Sequence, residues 1–262
     1  MIIKEITNFL ELYAPLKYQE SYDNCGLILG NHNTEVDSVL ITLDCTEDVV
    51  DEAISQDCQF IIAHHPIIFN GLMKINGSNY VERTVIKAIK NNIAVYAIHT
   101  NLDNILNGVS AKIAEKLGLE KVKILSPNSN FSEKEVGYGL VGNLKSPMQS
   151  NQFLKTLKSK MKTDCIRHTQ LVKKEVKRIA VCGGSGSFLL QIAKESGADV
   201  FISSDFKYHD FFSSENDIII ADIGHYESEQ FTKDLIYDLL VKNFTKFAVR
   251  LSKVNTNPIK YL

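Results

Sequence analysis

The stretch Phe60-Ile61-Ile62-Ala63-His64-His65-Pro66 decides the fold. Four consecutive apolar residues read as a strand covered on both faces, and the proline ends it. Upstream, Val39-Leu40-Ile41-Thr42-Leu43 is another buried run. Between the two, Thr46 to Ser55 reads as a helix, with Thr46 at its start and Glu47 and Asp48 in its first turn. Downstream, Tyr80 to Asn91 is helical, with Val81, Val85, Ile86 and Ile89 on one side, and Ile93 to Ile98 is a third strand. Val109 to Leu117 is a helix closed by Gly118. Strands alternating with helices in this order define an α/β layer architecture.

The order then returns. Arg178 to Cys182 reads as a strand, followed by a Gly-rich turn and a helix from Ser187 to Ser196. Val200 to Ser203 and Asp217 to Ile223 are strands, and a helix runs from about Glu227 to Val241. A shift of 140 residues lays Ser38-Val39-Leu40-Ile41 over Arg178-Ile179-Ala180-Val181, and Phe60-Ile61-Ile62 over Val200-Phe201-Ile202. A shift of 125 lays Ile93 to Ile98 over Ile218 to Ile223. The expected fold is therefore a duplicated α/β protein with three-layer halves, mixed or mostly parallel sheets, and an active cleft between the halves. Residues 1–125 form the first half, 126–176 a connecting segment and 177–262 the second half. In the connector, Val136 to Gly142 reads as a Gly-rich edge strand. Gln152 to Met161 reads as a helix whose lysines make a solvated face.

Composition excludes several classes. The chain has 262 residues, 44% hydrophobic and 23% charged, which fits a folded globular protein and not a disordered one. A formal net charge of -2 argues against a nucleic-acid partner. The 5 cysteines are scattered without C-x-x-C spacing, so a reducing compartment is expected. No signal peptide or membrane-length apolar run is visible, and a cytoplasmic protein without a membrane partner is expected.

Of the 7 histidines, His64, His65, His99 and His225 follow apolar strands. In open α/β sheets, ligands gather beyond the carboxyl ends of the strands. Two adjacent histidines can serve one site only where the strand has stopped, and Pro66 supplies that stop. Their rings then diverge, which suits two neighbouring ions. His99-Thr100-Asn101-Leu102-Asp103 adds an imidazole and a hard oxygen. In Gly224-His225-Tyr226-Glu227-Ser228-Glu229, His225 and Glu229 are four apart at a helix start and share a face, and Glu229 has two oxygens with which to bridge cations. His64, His65, Asp103, His225 and Glu229 make a mixed nitrogen and oxygen donor set suited to Zn, Mn, Fe or Co. Asp205 and His209 follow a strand of the second half and are candidates for proton transfer, as is Glu227. Tyr22-Asp23-Asn24-Cys25-Gly26-Leu27 is a polar turn, and Asp44 ends a strand. Gly183-Gly184-Ser185-Gly186 reads either as a phosphate-binding loop or as a tight turn that lets a helix pack closely.

The ordered set of Tyr22 to Leu27, His64-His65-Pro66, His99 to Asp103 and Gly224 to Glu229 resembles the GTP cyclohydrolase I type 2 homologue family, also called NGG-one-interacting-factor-three-like. The Gly183 to Gly186 loop and the Asp205 to His209 stretch are also similar to that family. The resemblance implies a duplicated α/β fold and two divalent metal ions per chain. It places His65 and Asp103 on one ion, His64 and His225 on the other, and Glu229 between them. It also implies a toroidal homohexamer. Tyr22 stands where the family commonly has Trp, and Leu140 follows Gly139 where an Arg is common. The expected function is a metal-dependent hydrolase acting on C–N bonds of an unassigned small molecule. The other reading is a non-catalytic metal-binding or regulatory scaffold ring.

Overall fold

The computed structural model describes residues 1–133 and 135–262. Its strands are β1 (Gly26–Leu29), β2 (Ser38–Thr42), β3 (Phe60–Ala63), β4 (Ala94–Ala97), β5 (Glu120–Pro127), β6 (Gly137–Gln149), β7 (Arg167–His168), β8 (Glu175–Ser185), β9 (Val200–Ser204), β10 (Ile219–Asp222) and β11 (Ala248–Leu251). They form two mixed sheets, ordered β1-β4-β3-β2-β11 and β5-β6-β8-β9-β10-β7.

Each sheet has a parallel three-strand centre, and the two centres share one register. Val39 pairs with Phe60 and Phe60 with Ala94 in the first sheet. Ile179 pairs with Val200 and Val200 with Ile219 in the second. These partners differ by the same 140 and 125 residues found in the sequence, so the duplication extends to the hydrogen-bond ladder.

The first unit comprises Met1–Leu102 and Thr232–Pro258. Its β2, β3 and β4 are buried along their whole length, as continuous apolar runs require. The helix Glu47–Ser55 starts where Thr46 Oγ1 accepts from the Val49 amide. It packs Val49, Val50 and Ala53 with Val85 and Ala88 of the helix Tyr80–Lys90 over Leu40, Ile61 and Val95.

The second unit comprises Asp103–Phe231 and Ile259–Leu262. One core holds Ile113, Leu140, Phe153, Leu157, Ile179, Val200 and Ile219, and another holds Val141, Ala180, Phe201, Phe206 and Ile220. The helix Val109–Leu117 ends at Gly118 in the left-handed conformation, as its sequence implies. The helix Ser150–Met161 buries Phe153, Leu154, Leu157 and Met161 and leaves Lys155, Lys158 and Lys160 exposed.

The structure groups the chain differently from the three-part division of the sequence. The connector is not separate: its β6 is the longest strand and lies between β5 and β8. Val136 to Gly142 is thus interior, not an edge. Glycine is needed there because Cβ atoms at Gly137 and Gly139 would meet backbone at 2.3 and 2.9 Å. The expected helix from Glu227 to Val241 is two helices, His225–Glu229 and Thr232–Asn243. The second of them leads into β11, which pairs with β2 in parallel and returns residues 232–258 to the first unit.

Ile61 is fully buried at the centre of the first sheet, whereas Ile75 is 54% exposed. Ile61→Ala should lower unfolding stability by roughly 2–5 kcal/mol. Ile75→Ala should change it by less than about 0.5 kcal/mol. Chemical denaturation of the two variants checks the contrast.

Candidate metal centre

In the first unit, pairing of β2 with β3 continues past the strand ends. The His64 amide donates to Thr42 O and the His65 amide to Leu43 O, while Ile98 N donates to Ala63 O. This ladder fixes the backbone of both histidines and brings His99, just beyond β4, beside them. The ring centroids are 4.8 Å apart for His64 and His65, 5.3 Å for His64 and His99, and 5.1 Å for His65 and His99. One nitrogen from each ring falls within 4.8 Å of the others, so the three could hold a metal ion.

Every ring of this group has an oxygen acceptor on Nδ1. His64 Nδ1 lies 2.8 Å from Ile98 O, His65 Nδ1 2.8 Å from Asp44 Oδ1 and His99 Nδ1 2.9 Å from Asp23 Oδ1. A carbonyl or ionised carboxylate only accepts, so each Nδ1 carries the proton and donates it. In the neutral ring each Nε2 then presents a lone pair, the arrangement by which outer carboxylates and carbonyls orient metal-binding imidazoles.

The supporting carboxylates are themselves held. Asp44 Oδ2 accepts from Thr256 Oγ1 at 2.5 Å. Asp23 accepts from the Thr100 amide, from Cys25 Sγ at 3.1 Å and from Thr100 Oγ1. Burial pushes the Asp23 carboxyl up, but hydrogen bonds from His99, Thr100 and Cys25 outweigh it and hold the group well below the ordinary carboxylate range. Burial also pushes the Cys25 thiol up to about 12, so it stays protonated. The Tyr22 to Leu27 turn thus acts through Asp23.

In the second unit, the left-handed Gly224 turns the chain from β10 into the helix His225–Glu229. A Cβ there would lie 2.2 Å from Glu227 Oε2. His225 Nδ1 lies 2.6 Å from Asp205 Oδ2, and His225 Nε2 lies 3.1 Å from Glu229 Oε2. Ser185 Oγ also donates to Asp205. Burial opposes charge on His225, but Glu229 and Asp205 overcome it and raise the imidazolium to about 11. The His225 hydrogen bond is the main cause that keeps the Asp205 carboxyl low.

The Gly183 to Gly186 stretch, at the end of β8, packs against this group. Gly184 is left-handed at φ +65°, its amide donates to Ser228 Oγ at 2.9 Å, and a Cβ on it would lie 2.4 Å from Glu229 Oε1. The turn expected here is not formed: Gly183 to Ser185 continue β8, and the glycine makes room for a carboxylate and not for the helix that follows. Asp103 lies in the same neighbourhood. Burial first, then the charges of Asp103 and Glu229, push the Cys182 thiol up to about 12. Glu227 is buried in the first turn of its helix. His209 is exposed, with its ring against Tyr208 and Phe212, and no hydrogen bond found among the described residues ties it to Asp205.

Each unit therefore supplies part of the expected set: His64 and His65 with His99 in the first, and Asp103, His225 and Glu229 with Asp205 in the second. The sequence singled out Asp23 and Asp44 without their role as Nδ1 acceptors. Thr256, 212 residues from Asp44, carried no local signal.

These features define a two-unit α/β protein with histidine and carboxylate groups suited to metal binding. The sequence profile of Duf34/NIF3 (NGG1p interacting factor 3) matches residues 1–258. The chain belongs to this family. A Clostridium acetobutylicum relative named GTP cyclohydrolase 1 type 2 homolog is 37% identical over 229 residues, 87% of this chain and 85% of the relative. A Campylobacter jejuni protein of the same name is 34% identical over the full length of both. Among solved structures, the Staphylococcus aureus hypothetical protein SA1388 superposes with a TM-score of 0.92 at 29% identity, covering 100% of this chain and 99% of that one. Reduced HcgD from Methanocaldococcus jannaschii gives 0.80 at 27% identity, covering 97% and 98%.

Two outcomes are expected. Gly184→Ala places a methyl against Glu229 and should lower metal affinity at least about tenfold, comparable to losing a supporting group, with the far-ultraviolet circular dichroism unchanged. A cation at His225 Nε2 must displace the proton held there, so metal uptake should release protons and weaken as pH falls. Calorimetry in buffers of different ionisation enthalpy measures that release.

Proposed function

We propose that this protein is a metal-dependent hydrolase with a dinuclear divalent-metal centre. In this reading His65 and Asp103 hold one ion, His64 and His225 the other, and Glu229 bridges, as the family resemblance implies. The observation that supports it most is that His64 and His65, with His99 beside them, each commit Nδ1 to an oxygen acceptor, which fixes the ring orientation and makes Nε2 the donor atom in the neutral ring. The donor set fits: imidazole nitrogens and carboxylate oxygens suit Zn, Mn, Fe or Co, and the nearby Cys182 thiol stays protonated.

When bound, divalent ions supply Lewis acidity that acidifies water and polarises the bond to be cleaved. The chain's own residues do the rest. Asp44, Asp23 and Asp205 orient His65, His99 and His225 through their Nδ1 atoms. Glu227, buried beside His225 in sequence, is the group we assign to proton transfer, with Asp205 and the exposed His209 as the other candidates. The names of the relatives point to a C–N bond in a small molecule as the target. We further propose a toroidal homohexamer in the cytoplasm. No helix among the described residues is long and apolar enough to cross a membrane.

Purified protein should carry about two divalent ions per chain by the five-ligand argument, and His64→Ala, Asp103→Ala and Glu229→Ala should each lose metal. Wild-type metal content in all three would overturn the assignment. A metal-loaded panel of nucleotides, phosphoesters and cyclic amides should show turnover that those variants lack. Metal binding without turnover across the panel would favour the scaffold reading.

A further inference from the structure

The second unit contains an aromatic pocket that the proposed metal centre does not use. It lies where β7 forms the edge of the second sheet, has a volume of about 390 Å³, and is walled by Tyr208, Phe211, Phe212, His168, Gln170 and Glu215 among others. That volume is within the range of small-ligand sites, roughly 300–1,000 Å³. Tyr208 is 73% exposed and Phe212 64%, so neither ring is spent on the core. Phe211 is anchored from behind by the buried Phe206, at 5.6 Å between centroids.

The geometry selects a ligand shape. The Tyr208 and Phe212 rings are 5.4 Å apart and inclined by 70°. Two near-perpendicular rings form a corner and not the parallel slot that a flat ring needs for stacking on both faces. A corner of aromatic faces suits a compact, rounded head group. Charge selects its sign. Ring faces are electron-rich and attract cations, and Phe211 already carries the Arg167 guanidinium 5.4 Å from its centroid. Glu215 lines the pocket. Lys194 bonds Glu215 at 2.5 Å and Asp217 at 3.1 Å, and Arg167 is paired with Asp222, so three carboxylates stand against two cations and the local balance is negative.

We propose that this pocket binds a quaternary ammonium group, whose methyls settle against the exposed rings of Tyr208 and Phe212 with Glu215 balancing the charge. A trimethylated nitrogen cannot donate a hydrogen bond, so aromatic faces are the partners that recognise it. The group can come from a free small molecule such as choline or from a trimethylated lysine on a peptide.

The test is a titration of the full-length protein, followed by the ring resonances of Tyr208 and Phe212 in NMR. The probes are choline, a trimethyllysine peptide, and 3,3-dimethyl-1-butanol, the uncharged carbon counterpart of choline. At least one cation should saturate the site, with the neutral probe binding at least about tenfold more weakly, as the cation–ring attraction requires. The tighter of the two cations identifies the source. Tyr208→Ala and Phe212→Ala should weaken binding at least about tenfold while the melting temperature stays at wild type, and Tyr208→Phe should retain it. Equal binding of choline and its neutral counterpart, or no binding of either cation, would overturn the proposal.

Discussion

The candidate centre rests on three hydrogen bonds to Nδ1 atoms. A neutral histidine ring has two ways to place its proton, and only the Nδ1-protonated one puts the lone pair on Nε2. Ile98 O, Asp44 and Asp23 remove that choice for His64, His65 and His99. Each acceptor depends in turn on a particular piece of the first unit. Ile98 is set by its ladder bond to Ala63, Asp44 by the end of β2 and by Thr256, and Asp23 by Thr100 and Cys25. Strand, turn and C-terminal segment of this unit thus converge on three rings.

The second unit uses the same device with different parts. Asp205 holds His225 through Nδ1, and a left-handed glycine on each side, Gly184 and Gly224, leaves space for Glu229 and Glu227. The shared registers of the two sheets explain the likeness: both His65 and Asp205 follow the strand in the middle of a parallel trio. At one of these positions stands an imidazole, and at the other stands the carboxylate that supports His225.

The strands at the sheet centres were legible because they are buried on both faces and so read as unbroken apolar runs. Phe60 to Ala63 was placed to the residue, and Thr46 announced its helix through the cap. The duplication was legible because register fixes spacing. What escaped was long-range pairing. Nothing local says that Ala248 to Leu251 should lie along Ser38 to Ile41, or that β6 should sit inside a sheet and not at its margin. The site divides in the same way. Side chains that face a ligand stand at strand ends and could be named. Those that hold them, Asp23, Asp44 and Thr256, look like ordinary loop polarity until the fold gives them partners.

The protonation of the three rings is the most direct test of this account. Long-range nitrogen–proton NMR correlations separate the tautomers of a neutral histidine, and a metal titration reports which nitrogen it meets. The account predicts that His64, His65 and His99 are all Nδ1-protonated in the metal-free protein, and that added Zn²⁺ shifts the Nε2 resonances of His64 and His65. Nε2-protonated rings, or Nε2 resonances that ignore the metal, would contradict it.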